Sequence, residues 1–161
     1  MLRAAKSSGF NTETVEIGYY PEISGWIEAQ SDLIKQAIDR VRNMFPSESR
    51  EQVMIELSTI LKGVVAQRLL RNQKGIRVPA LEVMTGSPEI SEIIQRGKLD
   101  ELRKVIEKSE DDGMQTFDQA LYMLWKQKEI TREDALHFAE SRTDLSLKMR
   151  LGNQSEILMM P

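Results

Sequence analysis

The stretch Asp111-Asp112-Gly113-Met114-Gln115-Thr116-Phe117-Asp118-Gln119-Ala120-Leu121 constrains this chain more than any other. It reads as a stop, a cap and then a committed amphipathic helix. Asp111-Asp112-Gly113 closes whatever precedes it, because glycine accepts the left-handed turn that ends a helix. Thr116 followed by Gln119 fits a capping box, in which each side chain serves a backbone N–H of the other. Phe117, Ala120, Leu121, Leu124 and Trp125 then recur at helical spacing and make one apolar face.

Helical signals extend to both sides. Ser31 reads as a helix cap, and Leu33, Ile34, Ala37, Ile38, Val41, Met44 and Phe45 keep one face apolar up to Pro46. A second helix is expected from Ser47 or Ser49, with Ser49 and Gln52 as a capping box. Its stripe is Val53, Leu57, Ile60, Leu61, Val64 and Val65, and Gly63 inside it implies close packing against a neighbour. A β-hairpin comes next, from Ala66–Leu70 to Ile76–Met84, with its turn at Asn72–Gly75. Pro79 has no N–H to give a ladder and belongs at an edge or a bulge. Ser87-Pro88-Glu89 starts a helix carrying Ile90, Ile93 and Ile94, and Gly97 stops it. Leu99, Leu102, Val105 and Ile106 mark the next helix. Thr131 caps another, with Ile130 stapled to Ala135 and the face extended by Leu136 and Ala139. Asp144–Leu151 predicts a short helix. Before Gln30 the pattern is weak: Thr14–Tyr20 suggests a strand stopped by Pro21, and Ser24-Gly25 a turn ahead of Trp26. The fold class expected is mainly α with a β-hairpin (α+β), in about one domain.

Several function classes are disfavoured. With 25 acidic against 22 basic side chains in 161 residues, the formal net charge is −3, a poor start for binding phosphate backbones. The helix pair around Phe45-Pro46 resembles a DNA-reading motif only in outline, since Glu48, Glu51 and Glu56 beside Arg50 carry the wrong sign. No nucleic-acid partner is expected. No apolar run approaches the roughly 20 residues that span a bilayer, and the N-terminus lacks a secretory apolar core. The absence of cysteine excludes disulfides and thiolate metal sites and fits a reducing, cytoplasmic setting. Neither G-x-x-x-x-G-K-[ST] nor G-x-S-x-G occurs, so the chain has no phosphate cradle and no nucleophile elbow. His137 is the sole histidine. Glu133 and Glu140 stand at helical spacing from it, but it reads as an exposed helix residue rather than a metal ligand. Glu107–Asp112 is expected to solvate a helix end. No catalytic, cofactor or metal residue is expected.

Several segments carry a resemblance when taken in order. They are Ile38-Asp39-Arg40 with Met44-Phe45-Pro46, then Arg50-Glu51-Gln52-Val53 and Leu61 to Leu69, then Gly75 with Arg77 to Met84, then Gly113 to Leu121, and finally Ile130 with Glu133-Asp134-Ala135-Leu136. From about Ile38 to Arg150 the chain resembles the C-terminal part of the type IV pilus retraction ATPases, the PilT/PilU family of secretion ATPases. The resemblance implies residues 31–86 as the end of a RecA-like ATPase core, residues 87–161 as a helical C-terminal domain, and residues 1–30 as an unmatched segment. Family members are hexameric ATPases at the cytoplasmic face of the inner membrane that drive pilus retraction and twitching motility. Their phosphate-binding loop, acidic boxes and histidine box precede the matched region. ATP and Mg therefore belong to the intact family, no cofactor is expected in this chain, and it is not expected to hydrolyse ATP alone. Where PilT-type members carry Ala-Ile-Arg-Asn-Leu, this chain reads Glu89-Ile90-Ser91-Glu92-Ile93, closer to PilU-type or divergent members.

For function, the resemblance implies a C-terminal fragment or truncated paralogue that acts by subunit contact. Its expected partners are full-length PilT/PilU-like subunits or further copies of itself, with the inner-membrane pilus platform by analogy. Ile90, Ile93, Gly113, Met114, Gln115, Thr116 and Asp118 are the interface candidates. In the family the hairpin strands join a large sheet, so here an open edge and an uncovered apolar face are expected. The alternative is a standalone helical interaction module with no pilus role.

Overall fold

The computed structural model describes residues 3–5, 14–16 and 32–158, with side chains for residues 32–152. Strand β1 (Arg3–Ala5) pairs antiparallel with β2 (Thr14–Glu16), Ala4 lying opposite Val15. The strand expected from Thr14 thus forms over its first residues. Ile17–Tyr20, the Ser24-Gly25 turn and Ser31 lie outside the described residues.

Helix α1 (Leu33–Asn43) is capped by Asp32, whose carboxylate accepts the Lys35 N–H at 3.1 Å. Ile34 and Ile38 fill its buried face one turn apart. Met44 and Phe45 were expected on that face, yet they are 66% and 42% exposed because the helix ends at Asn43. A 3₁₀ turn at Ser47–Ser49 leads into α2 (Arg50–Ile60). Ser49 makes no side-chain cap bond, so the expected box with Gln52 is absent; the preceding turn already carries the chain into the helix.

The second helix is shorter than its apolar run suggested, and its inward face is different. Met54 and Ser58 are buried, Leu57 and Leu61 are partly buried, and Ile60 is 67% exposed. Gly63, Val64 and Val65 belong not to this helix but to strand β3 (Gly63–Arg71). The β-branched Val64 and Val65 lose rotamer freedom in a helix and suit a strand, and pairing to β4 (Arg77–Thr85) secures that state. Gly63 is indeed closely packed: a Cβ there would lie 2.9 Å from the Met84 carbonyl oxygen.

The hairpin forms as expected. Asn72 Oδ1 accepts the N–H groups of Lys74 and Ile76 at 3.0 and 2.8 Å, and Gly75 supplies a φ of +78°. The register Val65↔Val83, Gln67↔Leu81, Leu69↔Pro79 runs without a bulge. Leu70, Ala80, Glu82 and Met84 point inward, and the alternate residues point out.

The remaining helices are α3 (Pro88–Gln95), α4 (Leu102–Lys108), α5 (Phe117–Lys126), α6 (Arg132–Phe138) and α7 (Arg142–Leu158). Ser87 caps α3 by accepting the Ile90 N–H at 3.2 Å, and Gly97 ends it at φ +68°. Gly113, at φ +79°, closes the acidic turn before α5. Both bonds of the Thr116/Gln119 box are present, and Thr131 forms a second box with Asp134. The last helix runs well past the short Asp144–Leu151 segment expected; Leu145 and Met149 anchor its described side chains.

Two apolar cores result. Ile34, Ile38 and Met54 join Met84, the α3 isoleucines and α4 in one. Leu70 and Ala80 join Phe117, Leu121, Ile130, Leu145 and Met149 in the other. The hairpin's inner face runs along both, so each core takes residues from either side of residue 87.

Candidate interaction surface and buried carboxylate joint

Alternation along a strand sends successive side chains to opposite faces, and here the two faces have different fates. On the outer face stand Val65, Gln67 and Leu69 with their partners Val83, Leu81 and Pro79. Val65 is 66% and Leu69 51% exposed, so this face is apolar and open among the described residues. β3 has no other strand partner among them. The free edge of β4 is partly used by Gln115, which exchanges both backbone hydrogen bonds with Val83 at 2.8 and 2.9 Å. Gln115 Nε2 also donates to the Leu81 carbonyl at 2.8 Å. Since Val83 turns its N–H away from β3, Pro79 in the same alternation has its missing N–H on that outer edge too.

The inner face of β4 carries Glu82, 1% exposed, between Ala80 and Met84. Its Oε2 accepts the N–H of Ile34 at 3.2 Å, at the start of α1. Glu140, in the connection from α6 to α7, accepts the Asp32 N–H through Oε1, two residues earlier on the same helix start. Glu140 Oε2 lies 3.2 Å from Arg103 Nη1 as an ion pair without a hydrogen bond. Arg103 Nη2 meets Asp118 Oδ2 at 2.9 Å. Asp118 in turn accepts the N–H groups of Glu140 and Ser141, at 2.8 and 2.9 Å, which fixes the start of α7. A chain of side chains therefore ties α1, β4, α4, α5 and the α6–α7 connection together.

Removing carboxylates from water favours their neutral form. Burial pushes Glu82 from the ordinary 4.5 up to about 7, helped by the nearby negative charges of Glu140 and Asp32. Burial likewise raises Glu140 and Asp32 above the usual carboxylate range. The helix-start N–H groups and Arg103 oppose this without cancelling it.

The seven interface candidates fall mostly inside the chain. Ile90, Ile93, Met114 and Thr116 are buried, and Asp118 is 9% exposed with its carboxylate fully engaged. Gln115 is half-buried against the hairpin edge, and Gly113 alone of the seven is exposed. His137 is exposed on α6 as expected. Glu140 does not join it in a solvated cluster: its carboxylate turns inward to Arg103, because helical spacing ends with α6 at Phe138. Sequence reasoning passed over Glu82 and Arg103 altogether. The signal for Glu82 was there, since a charge in register with Val78, Ala80 and Met84 must share their buried face.

No family model matches the sequence. The type IV pilus ATPase PilU of Pseudomonas aeruginosa is 43% identical over 122 residues, which is 75% of this chain and 32% of that protein. The type IV pilus retraction ATPase PilT of the same organism is 37% identical over 100 residues, 62% of this chain and 29% of its own length. The solved structure of the pilus retraction motor PilT with bound ADP superposes with a TM-score of 0.61 at 35% identity, over 70% of this chain and 31% of that one. The chain thus spans about a third of the length of the curated relatives it matches.

Proposed function

Because this chain belongs to the PilT/PilU family of type IV pilus ATPases over the portion of those proteins that it matches, we propose that it serves a retraction motor through subunit contact rather than ATP chemistry. The observation that carries this reading is the open apolar face of the hairpin, Val65 and Leu69 beside Leu81 and Val83. Such an exposed apolar face calls for a cover, and the edge of β3 that is unpaired among the described residues offers backbone donors and acceptors beside it. The partner is a PilT/PilU-like subunit or another copy of this chain, with the pilus platform reached through the assembled motor. Gly113, exposed at the turn before α5, is the interface candidate with surface to offer. The setting is the cytoplasm at the inner-membrane face; among the described residues no helix is long and apolar enough to cross a membrane.

In this reading nucleotide and Mg are held by the rest of the motor, as these 161 residues contain no phosphate-cradling loop. The test is to add the purified chain to an intact PilU-like motor and follow ATP turnover. A dose-dependent change that Leu69→Lys abolishes supports the proposal, and no effect at large excess refutes it.

A further inference from the structure

The first turn of a helix leaves backbone N–H groups that its own cap or water ordinarily satisfies. At α1 two of them are taken instead by carboxylates from distant parts of the chain. Asp32 N–H goes to Glu140 from the helical region, and Ile34 N–H goes to Glu82 from the hairpin. Asp32 itself sits at φ +76°, a left-handed conformation that a non-glycine residue keeps only when its surroundings hold it. The N–H of this strained residue is the one that Glu140 accepts.

We infer that Glu82 and Glu140 form a proton-operated clamp on the first turn of α1. With at least one of them protonated, α1 is seated against both the hairpin and the helical region. With both ionised, α1 lifts away.

The charges facing this point support that direction. Asp32 and Lys35 come from α1, and the Lys35 ammonium is drawn outward to Asp100. Arg68 comes from β3 and lies 4.5 Å over the Phe117 ring. Arg103 comes from α4 and is shared between Asp118 of α5 and Glu140. Asp32, Glu82, Asp118 and Glu140 thus face Arg68 and Arg103, an excess of buried negative charge that a proton relieves. Burial acts in the same sense on Glu82, Glu140 and Asp32.

Amide hydrogen exchange of the 161-residue chain at about pH 6 and about pH 8, corrected for intrinsic rates, tests the clamp. Amides of α1 should lose at least about tenfold protection relative to those of α5 at the higher pH, with a ceiling on the order of 100-fold. Glu82→Gln should hold α1 protected at both. A constant α1-to-α5 ratio across pH, or an unchanged loss in Glu82→Gln, overturns the inference. If that variant does not fold, carboxyl ¹³C titration of the unmodified chain decides. A midpoint above about pH 6 for Glu82 or Glu140, with α1 amide shifts following it, supports the clamp; midpoints below about pH 5 for both overturn it.

Discussion

Arg103 and Asp118 meet at 2.9 Å across fifteen positions of sequence, and the same Asp118 oxygen accepts the Ser141 N–H at 2.9 Å. One carboxylate near the start of α5 thereby holds α4 on one side and the start of α7 on the other. Replacing it strands a half-buried guanidinium and two backbone donors at once. Asp118→Ala is expected to destabilise the chain by about 3 kcal/mol, as for other buried pairs that lose one partner. Asp118→Asn keeps an acceptor and should lose less. Urea unfolding of the two variants checks the order.

The stability of the chain should fall as pH rises from acid to neutral, opposite to ordinary acid denaturation. Glu82 titrates near 4.5 when unfolded and at about 7 when folded. Its stabilising contribution is therefore complete below 4.5 and is lost as pH rises through 7. The span amounts to about 3 kcal/mol for this one group. Asp32 and Glu140 are raised too and act in the same sense. Denaturant midpoints between about pH 5 and pH 8 should drop, and Glu82→Gln should flatten the curve and be the more stable form at pH 8.

The two capping boxes differ in burial, and their mutants should differ with it. Thr116 is 2% exposed and its partner Gln119 is 7% exposed, while Thr131 is half-exposed. Thr116→Ala is expected to cost about 2 kcal/mol, near the upper end for a lost cap, and Thr131→Ala about 1 kcal/mol or less. Thr116→Ser should restore most of the loss. Thermal unfolding of the set provides the comparison.

Gly86 sits where the end of the hairpin passes the end of α2. A Cβ there would lie 2.9 Å from the Leu61 carbonyl oxygen and 3.3 Å from that of Lys62. Both contacts are backbone and cannot swing aside, so Gly86→Ala should cost about 2 kcal/mol by forcing the two segments apart. Gly75→Ala meets nothing within 4 Å and suffers only its φ of +78°, for which about 1 kcal/mol is expected. Chemical denaturation of the two variants side by side measures the difference.

Charge on the open hairpin face should separate folding from association. Val65→Lys and Leu69→Lys replace side chains that are 66% and 51% exposed, so folding stability should change by under about 0.5 kcal/mol. Any self-association seen by sedimentation should weaken, together with the effect on an intact motor's ATP turnover.

What the residues determined unaided is the local script of the protein. The turn at Asn72–Gly75, the stops at Gly97 and Gly113 and the caps at Ser87, Thr116 and Thr131 each depend on groups a few positions apart, and all are present. The α+β class emerged from those signals, while the resemblance to PilT and PilU rested on the wording of whole segments such as Arg77 to Met84 and Gly113 to Leu121. Long-range packing decided the rest. It turned Gly63–Val65 from helix to strand by pairing them with β4, and it chose Met54 and Ser58 over Ile60 for the inner face of α2. It buried Ile90, Ile93, Met114, Thr116 and Asp118 in the chain's own interior. It also brought Asp32, Glu82, Arg103 and Glu140 to one place, with 108 positions between the first and the last. Spacing along a chain reports which side chains share a helix or strand face; which faces then meet is set by the free energy of the whole packed body, and no local window contains it.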